Sequence, residues 1–451
     1  MTSIVKFIAE VNQRIGIALP SSWPKADEIE IARRFIEKLN EYLFQTYRGI
    51  GMTHALDDEE FQYFSEFHKF WEAHHREILN VRFSQSQVAA AARALHSATK
   101  TYGSSILKLD IAKQVGGLAP QAVAQVRFFT ANQDWREPPE NPWAKYLEDP
   151  AIYEPIEIRD DPSTFLKELG VTRLSQSDKR LDFARNAARF LIERQVTAYD
   201  LAKLCNYDAA QIRDTLVTQA NMGYGPKKAN MFVRDMYVLK VWPNLTNLDA
   251  IDVASDVNTM KLALRARILQ TDIPLVSSFL DIFCYQYEYI SVASASAWRL
   301  VWTKWKEENP ETAPASPCLM DFLLYRIGRD YCDDIAVLYQ CQDNSSHCFW
   351  HFGARLKRCR YCRSETERIE SLLPCQVPKD QLPRQANGQL MLNEQNLFSK
   401  FDGVCILEPV CSPRSAMFKK LSPPMSISIK GRTGWTQSYS YRDQGGGGMM
   451  A

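Results

Sequence analysis

The amino-acid sequence predicts a mainly helical protein of several regions, and three observations carry that expectation. Apolar residues recur three and four positions apart over long stretches, a glycine turn runs straight into one such stretch, and nine of the 11 cysteines fall between Cys318 and Cys411.

Taken in order, residues 1–150 read as an N-terminal helical region, with helical spacing over 4–11, 26–47, 58–82 and 85–108. His68, His74 and His75 with Glu72 fall within one of these stretches. Their spacing is not the i, i+4 arrangement of a two-histidine metal site, so they read as a solvated or amphipathic helix face. Residues 133–161, rich in Pro, Glu and Asp, predict a boundary loop. A helical core region is expected over 161–310, and its closing tryptophans, Trp298, Trp302 and Trp305, read as core rather than as a stacking platform for a base. Residues 307–317 predict a second linker, 318–375 a Cys-rich module, and 376–451 a C-terminal extension that is partly flexible, ending in Gly445 to Gly448.

The most informative stretch of the chain is Gly223-Tyr224-Gly225-Pro226-Lys227-Lys228-Ala229. The preceding run from Ala209 to Thr218 carries Ile212, Leu216 and Val217 on one face and predicts a helix. Asn221, Gly223 and Gly225 then allow a tight turn at positive φ. Pro226 suits the first turn of a second helix, where a missing N–H costs nothing, and Ala229, Phe232, Val233 and Met236 give that helix a buried face. Its first N–H groups, with those of Gly223, Tyr224 and Gly225, lack intrahelical partners and suit a phosphate oxygen. An ordinary helix pair joined by a glycine turn has the same local pattern.

This segment resembles the helix-hairpin-helix DNA glycosylases of the endonuclease III and 8-oxoguanine glycosylase superfamily, in which Gly-x-Gly-x-Lys-x-Ala precedes a catalytic aspartate. The resemblance covers about 161–305 and implies a helix-hairpin-helix glycosylase core. Gly223, Gly225, Lys227 and Ala229 take the motif positions, so Lys227 stands where the family has its nucleophile. The archaeal 8-oxoguanine glycosylases have a lysine followed by an apolar helix, and in that register Lys228 takes the place. Asp256, in Asp-Val-Asn-Thr-Met-Lys, matches the downstream aspartate, with Asp252 behind it; Asp256 is equally an N-cap candidate for the helix that follows.

The implied chemistry needs both residue types. Breaking the bond between C1′ of deoxyribose and a base develops oxocarbenium character, which a neighbouring carboxylate stabilises. A lysine captures C1′ only when unprotonated, and a helix N-terminus and a like charge beside it both favour the neutral amine. The resulting Schiff base can eliminate the 3′ phosphate, which adds lyase activity at abasic sites. The target base must first be flipped out of the duplex. The implied partner is double-stranded DNA with a damaged or modified base. The architecture suggests, as an alternative, hypermodified bases of viral DNA handled in antiphage defence. A non-catalytic helix-hairpin-helix DNA-binding subunit is a further alternative, since binding needs the glycines and backbone amides but not the lysine.

Composition agrees with an enzyme of this kind. A chain of 451 residues, 45% hydrophobic, can bury a substantial core, and its net charge of +1 excludes a globally basic nucleic-acid coat. The sequence contains no apolar run long enough to cross a bilayer and no signal-peptide pattern, so the expectation is a monomer with no membrane partner, cytoplasmic or nucleoid-associated in a bacterium or archaeon.

In such a compartment cysteines are free or metal-bound. Cys341, Cys348, Cys359 and Cys362 form a candidate four-ligand set, with His347 and His351 in the intervening loop. Zinc is the expected ion, an iron–sulfur cluster the alternative, and unliganded thiols the third reading. Arg355, Lys357, Arg358, Arg360 and Arg363 interleave with the second pair and would offer a positive ridge to phosphates, or else form a solvated basic surface.

Overall fold

The structure, a computed structural model, describes residues 74–108, 115–133, 141–171, 177–272, 284–330, 336–352, 361–372, 405–411, 426–430 and 436–440, with 16, 30, 34, 332, 358 and 359. The described chain is mainly helical, as expected. Strand β1 (Arg82–Phe83) leads into α1 (Gln85–Tyr102), α2 (Pro120–Ala131), α3 (Pro142–Glu148), α4 (Pro155–Asp160), α5 (Pro162–Glu168), α6 (Ser177–Arg194), α7 (Leu201–Leu204), α8 (Ala209–Thr218) and α9 (Pro226–Val238). Then follow α10 (Val257–Arg265), β2 (Leu269–Gln270), α11 (Cys284–Glu308), α12 (Asp321–Asp330) and strands β3 (Ala336–Cys341), β4 (Cys348–Phe352), β5 (Thr366–Leu372), β6 (Ser426–Lys430) and β7 (Thr436–Ser440). None of the described helices is long and apolar enough to cross a membrane.

The chain divides into two compact units. The first comprises residues 103–256 and 298–323. Its core is a continuous apolar cluster built on aromatic rings: Phe128 touches Phe129, Phe190, Tyr224 and Phe232, and Phe232 meets Trp242 edge-on at 5.5 Å. Rings in such offset and edge arrangements add to plain area burial, which is what locks α2, α6 and α9 around one centre.

Residues 141–161, expected as part of a loop, form instead a run of short helices. Pro142, Pro150, Pro155 and Pro162 each open a turn at the first helical position, where proline's fixed φ is already correct. Asn141, Asp149 and Asp161 cap three of these turns through their side chains. Trp143 and Tyr153 are buried beneath the run. The expected linker at 307–317 is likewise packed: Trp302 donates its indole N–H to the carbonyl of Pro314 at 2.8 Å, and Trp305 donates to the Thr312 hydroxyl at 3.0 Å. The three tryptophans are buried, in agreement with their reading as core.

The second unit comprises residues 257–297 and 324–449 with the described residues before 103. Its helical part buries Val88, Ala91, Ala92 and Leu95 of α1, and Met260, Leu262 and Ala263 of α10. Gly328 of α12 lies so close to α10 that a Cβ there would stand 2.6 Å from the carbonyl oxygen of Asn258. His75 is buried against the edge of Tyr289, ring centres 5.4 Å apart, so it belongs to the packed side of its helix rather than to a solvated face. His68 and Glu72 lie outside the described residues. The cysteine-rich part of this unit holds an antiparallel sheet of order β4-β3-β5, with Gln340 opposite Cys348 and Cys341 opposite Thr366. Strands β6 and β7 form a separate antiparallel pair within the stretch expected as the C-terminal extension; the terminal glycines lie outside the described residues.

Candidate functional site

In the first unit, α8 and α9 have the bounds that the sequence predicts, joined by a turn with Asn221 at φ 55° and Gly223 at φ 75°. Gly223 is fixed twice over: its conformation disfavours side chains, and a Cβ would stand 2.8 Å from both the Asn132 carbonyl and the Phe183 ring. The Asn132 side chain holds the turn from the other side by donating to the carbonyls of Met222 and Phe183 at 3.2 and 3.3 Å. Gly225, by contrast, is not at positive φ. It is the N-cap of α9 at φ −88°, ψ 177°, with open space where a Cβ would sit, so the turn does not require glycine there.

Tyr224, expected at a DNA surface, is buried in the aromatic core and donates its hydroxyl to the carbonyl of Phe128 at 2.6 Å. Burial holds its phenol well above the usual range. Its side chain therefore builds the core beneath the turn and is not available to a DNA backbone.

The two candidate lysines part company. Lys228 donates its ammonium to the Asn132 carbonyl at 2.6 Å and lies over the Phe183 ring at 5.8 Å, so it is an anchor of the turn. Lys227, second residue of α9 and half-buried, has no hydrogen bond or ion pair tying its ammonium to another described residue. The two candidate aspartates differ in setting. Asp252 accepts from the guanidinium Nε of Arg299 at 2.6 Å, whereas Asp256 is buried at the end of this unit's first segment.

Lys227 and Asp256 belong to a buried charge cluster that sequence reasoning missed. Arg234, two turns along α9, pairs with Asp235 at 2.7 Å and with Asp321, the first residue of α12. Asp235 also accepts from Arg127 Nε at 2.7 Å. Burial opposes the charge of Arg234, but the carboxylates of Asp235 and Asp321 more than offset it and keep the guanidinium ionised. Burial pushes the Asp321 carboxyl up to about 6; Arg234 opposes this, the negative charge of Asp256 adds to it, and Lys227 counters it. Both Lys227 and Asp256 thus stand near enough to act on Asp321. Nothing local in the sequence signals Asp321, which pairs with Arg234 across 87 positions.

The candidate metal centre lies in the second unit, at one end of the three-stranded sheet. Its donors are Cys341, His347, Cys359 and Cys362, all within 4.8 Å of one another. Cys341 ends β3, and its N–H donates to the His347 carbonyl at 3.1 Å across the hairpin loop. Cys359 and Cys362 form a knuckle: the Tyr361 N–H points to Cys359 Sγ at 3.4 Å, the Arg363 N–H donates to the Cys359 carbonyl at 3.0 Å, and Arg363 closes the turn at φ 63°.

The donor spacing is 3.4 Å between Cys341 Sγ and Cys362 Sγ, and 3.8 Å from His347 Nδ1 to the sulfur of either knuckle cysteine. A tetrahedral zinc with bonds of about 2.3 Å to sulfur and about 2.0 Å to nitrogen holds its donors roughly 3.5–3.8 Å apart. The set therefore fits one tetrahedral ion such as zinc. The Ser364 hydroxyl and N–H, then His347 and Cys341, push the Cys362 thiol down to about 6, so a thiolate is at hand.

Cys348, expected as a ligand, is not in the set. It is exposed on the first residue of β4, and its thiol points to the Ser345 carbonyl at 3.5 Å. His347, one position earlier, takes the place. In the basic ridge, Arg358 and Arg363 are exposed, while Arg355, Lys357 and Arg360 lie outside the described residues.

Comparison with protein-family models finds no match for this chain, and a search of curated proteins finds none either.

Proposed function

We propose that this chain is a DNA glycosylase that excises a damaged or modified base, with Lys227 as nucleophile and Asp256 as the carboxylate beside the sugar. The observation that carries the reading is that Lys227 and Asp256 both act on the buried carboxyl of Asp321. Lys228 and Asp252 are committed to Asn132 and Arg299, while Lys227 and Asp256 converge on the buried cluster around Asp321. With every group ionised, Lys227, Arg127 and Arg234 balance Asp235, Asp256 and Asp321. An attacking amine must be neutral, which would leave the carboxylates in excess. Asp321 is then the group that takes up a proton, since its carboxyl is pushed up to about 6. Asp256 is the carboxylate assigned to stabilise positive charge developing at C1′. The uncapped first turn of α9 adds backbone N–H groups suited to the adjoining phosphate.

The test is a panel of duplexes, each with one oxidised, deaminated, alkylated or hypermodified base, scored by alkali cleavage and by borohydride trapping. Excision of at least one member, with a trapped complex lost in Lys227→Gln, is the expected result. No excision and no trapping on any duplex would refute the proposal.

We further propose that the Cys341, His347, Cys359 and Cys362 donors hold a structural zinc. A closed four-ligand shell leaves no open position for chemistry, and donors this close suit one ion better than a multi-iron cluster, whose ligands stand further apart. The ion's part is to tie the β3–β4 loop to the knuckle that bears Arg358 and Arg363.

A further inference from the structure

Helix α9 is buried on two faces. Ala229, Phe232, Val233 and Met236 form its apolar face in the aromatic core, while Lys227, Asn230 and Arg234 follow one another at spacings of three and four along the opposite face. Asn230 and Arg234 are nonetheless only 6% and 7% exposed, so this polar face is enclosed as well. Arg234 is satisfied there by Asp235 and Asp321. Asn230 is not: its buried side-chain oxygen has no hydrogen-bond partner.

A buried amide oxygen without a partner costs stability, and apolar side chains of similar size avoid that cost. Such a group one turn from a candidate nucleophile, on the same helix face, is placed to meet something that arrives from outside. An asparagine side chain offers one donor edge and one acceptor edge together, which matches a base presenting an acceptor beside a donor.

We propose that Asn230 is a specificity-determining residue, hydrogen-bonding the edge of the flipped base whose glycosidic bond Lys227 attacks. This rests on the glycosylase reading above and deepens it. A flipped base enters a closed pocket and is read by hydrogen bonds to its edge; Asn230 supplies such a contact from the helix that carries the nucleophile.

The experiment compares the full-length parent with Asn230→Leu and Asn230→Asp. Three quantities are read: thermal midpoint, single-turnover excision on the panel duplexes, and strand cleavage of a duplex with a preformed abasic site. The abasic duplex has no base to read, so it separates base recognition from lysine chemistry. In Asn230→Leu the midpoint should hold or rise, excision should fall by about tenfold to a hundredfold, and abasic-site cleavage should stay within about twofold of the parent. Asn230→Asp, which keeps the shape and loses the donor, should change the order of preference among the bases. A midpoint lowered by several degrees in Asn230→Leu, or excision equal to the parent, overturns the role of Asn230. Loss of abasic-site cleavage along with excision also overturns it, since Asn230 would then act through Lys227. A parent inert on every base and on the abasic duplex would instead refute the glycosylase reading itself.

Discussion

The ammonium of Lys228 donates to the backbone carbonyl of Asn132 over 2.6 Å. The same carbonyl lies 2.8 Å from where a Cβ on Gly223 would be, so one oxygen both anchors the second lysine and excludes a side chain from the turn. The register of the two lysines is thereby fixed by a single contact from α2's end. Lys227 is the one left near enough to act on Asp321.

This relationship separates the lysines by experiment. Lys227→Gln should abolish borohydride trapping on a cognate duplex while leaving DNA affinity within a few-fold, because an amine at the reacting centre serves chemistry more than binding. Lys228→Gln should retain trapping but lower stability by about 1 kcal/mol through loss of a charge-assisted hydrogen bond. Trapping that survives the first change and vanishes in the second would reverse the assignment.

Gly223 and Gly225 should respond differently to the same substitution. Gly223→Ala is expected to cost about 2 kcal/mol or more in urea unfolding, since it combines φ 75° with a Cβ 2.8 Å from backbone and ring atoms. Gly225→Ala, in extended backbone with open space around it, should stay within about 0.5 kcal/mol of the parent. Equal effects at the two positions would contradict the geometry of the turn.

The aspartates give a second contrast. Asp256→Asn should lose most base excision and still fold. Asp252→Asn should keep excision and lower stability by about 1 kcal/mol, because it breaks only the half-exposed pair with Arg299. Single-turnover rates beside thermal midpoints read both outcomes.

Asp321 sets a pH dependence of stability. Its carboxyl is raised from 3.8 to about 6 in the folded protein, so between those values the native state holds a proton that the unfolded chain has released. Stability should therefore fall as pH rises from about 4 to about 6 and level off above, by an amount on the order of 1–3 kcal/mol. Asp321→Asn removes the titration and should flatten that part of the profile. A profile in Asp321→Asn that falls as steeply as the parent's would assign the dependence to other groups.

Metal analysis should find about one zinc per chain, and removal by a strong chelator should lower the thermal midpoint. His347→Ala should weaken zinc retention by at least about tenfold, while Cys348→Ser should leave it unchanged. The opposite pattern would restore Cys348 to the donor set.

The turn between α8 and α9 was legible because glycine and proline act locally: Gly223 and Pro226 declare their backbone needs whatever surrounds them. The short helices of 141–161 were misread for a related reason, since proline marks a break and a first helical position alike, and only caps such as Asn141 and Asp149 tell them apart. At the candidate metal centre the Cys359–Cys362 knuckle was readable from spacing alone. His347 was not, because the choice between it and Cys348 depends on which residue the β3–β4 hairpin turns toward Cys341. The Arg234–Asp321 pair lay beyond any local pattern.

The first unit is interrupted in sequence, and this bears on how the protein can be cut and how it is made. Residues 103–256 carry Lys227, Asn230 and Asp256, but Asp321 and Arg299 arrive only with the returning segment 298–323. A fragment ending at Asp256 would leave Arg234 buried with Asp235 alone and Asp252 without its arginine, so it should express poorly. During synthesis Lys227 emerges well before Asp321, and the cluster can close only once residue 321 has left the ribosome.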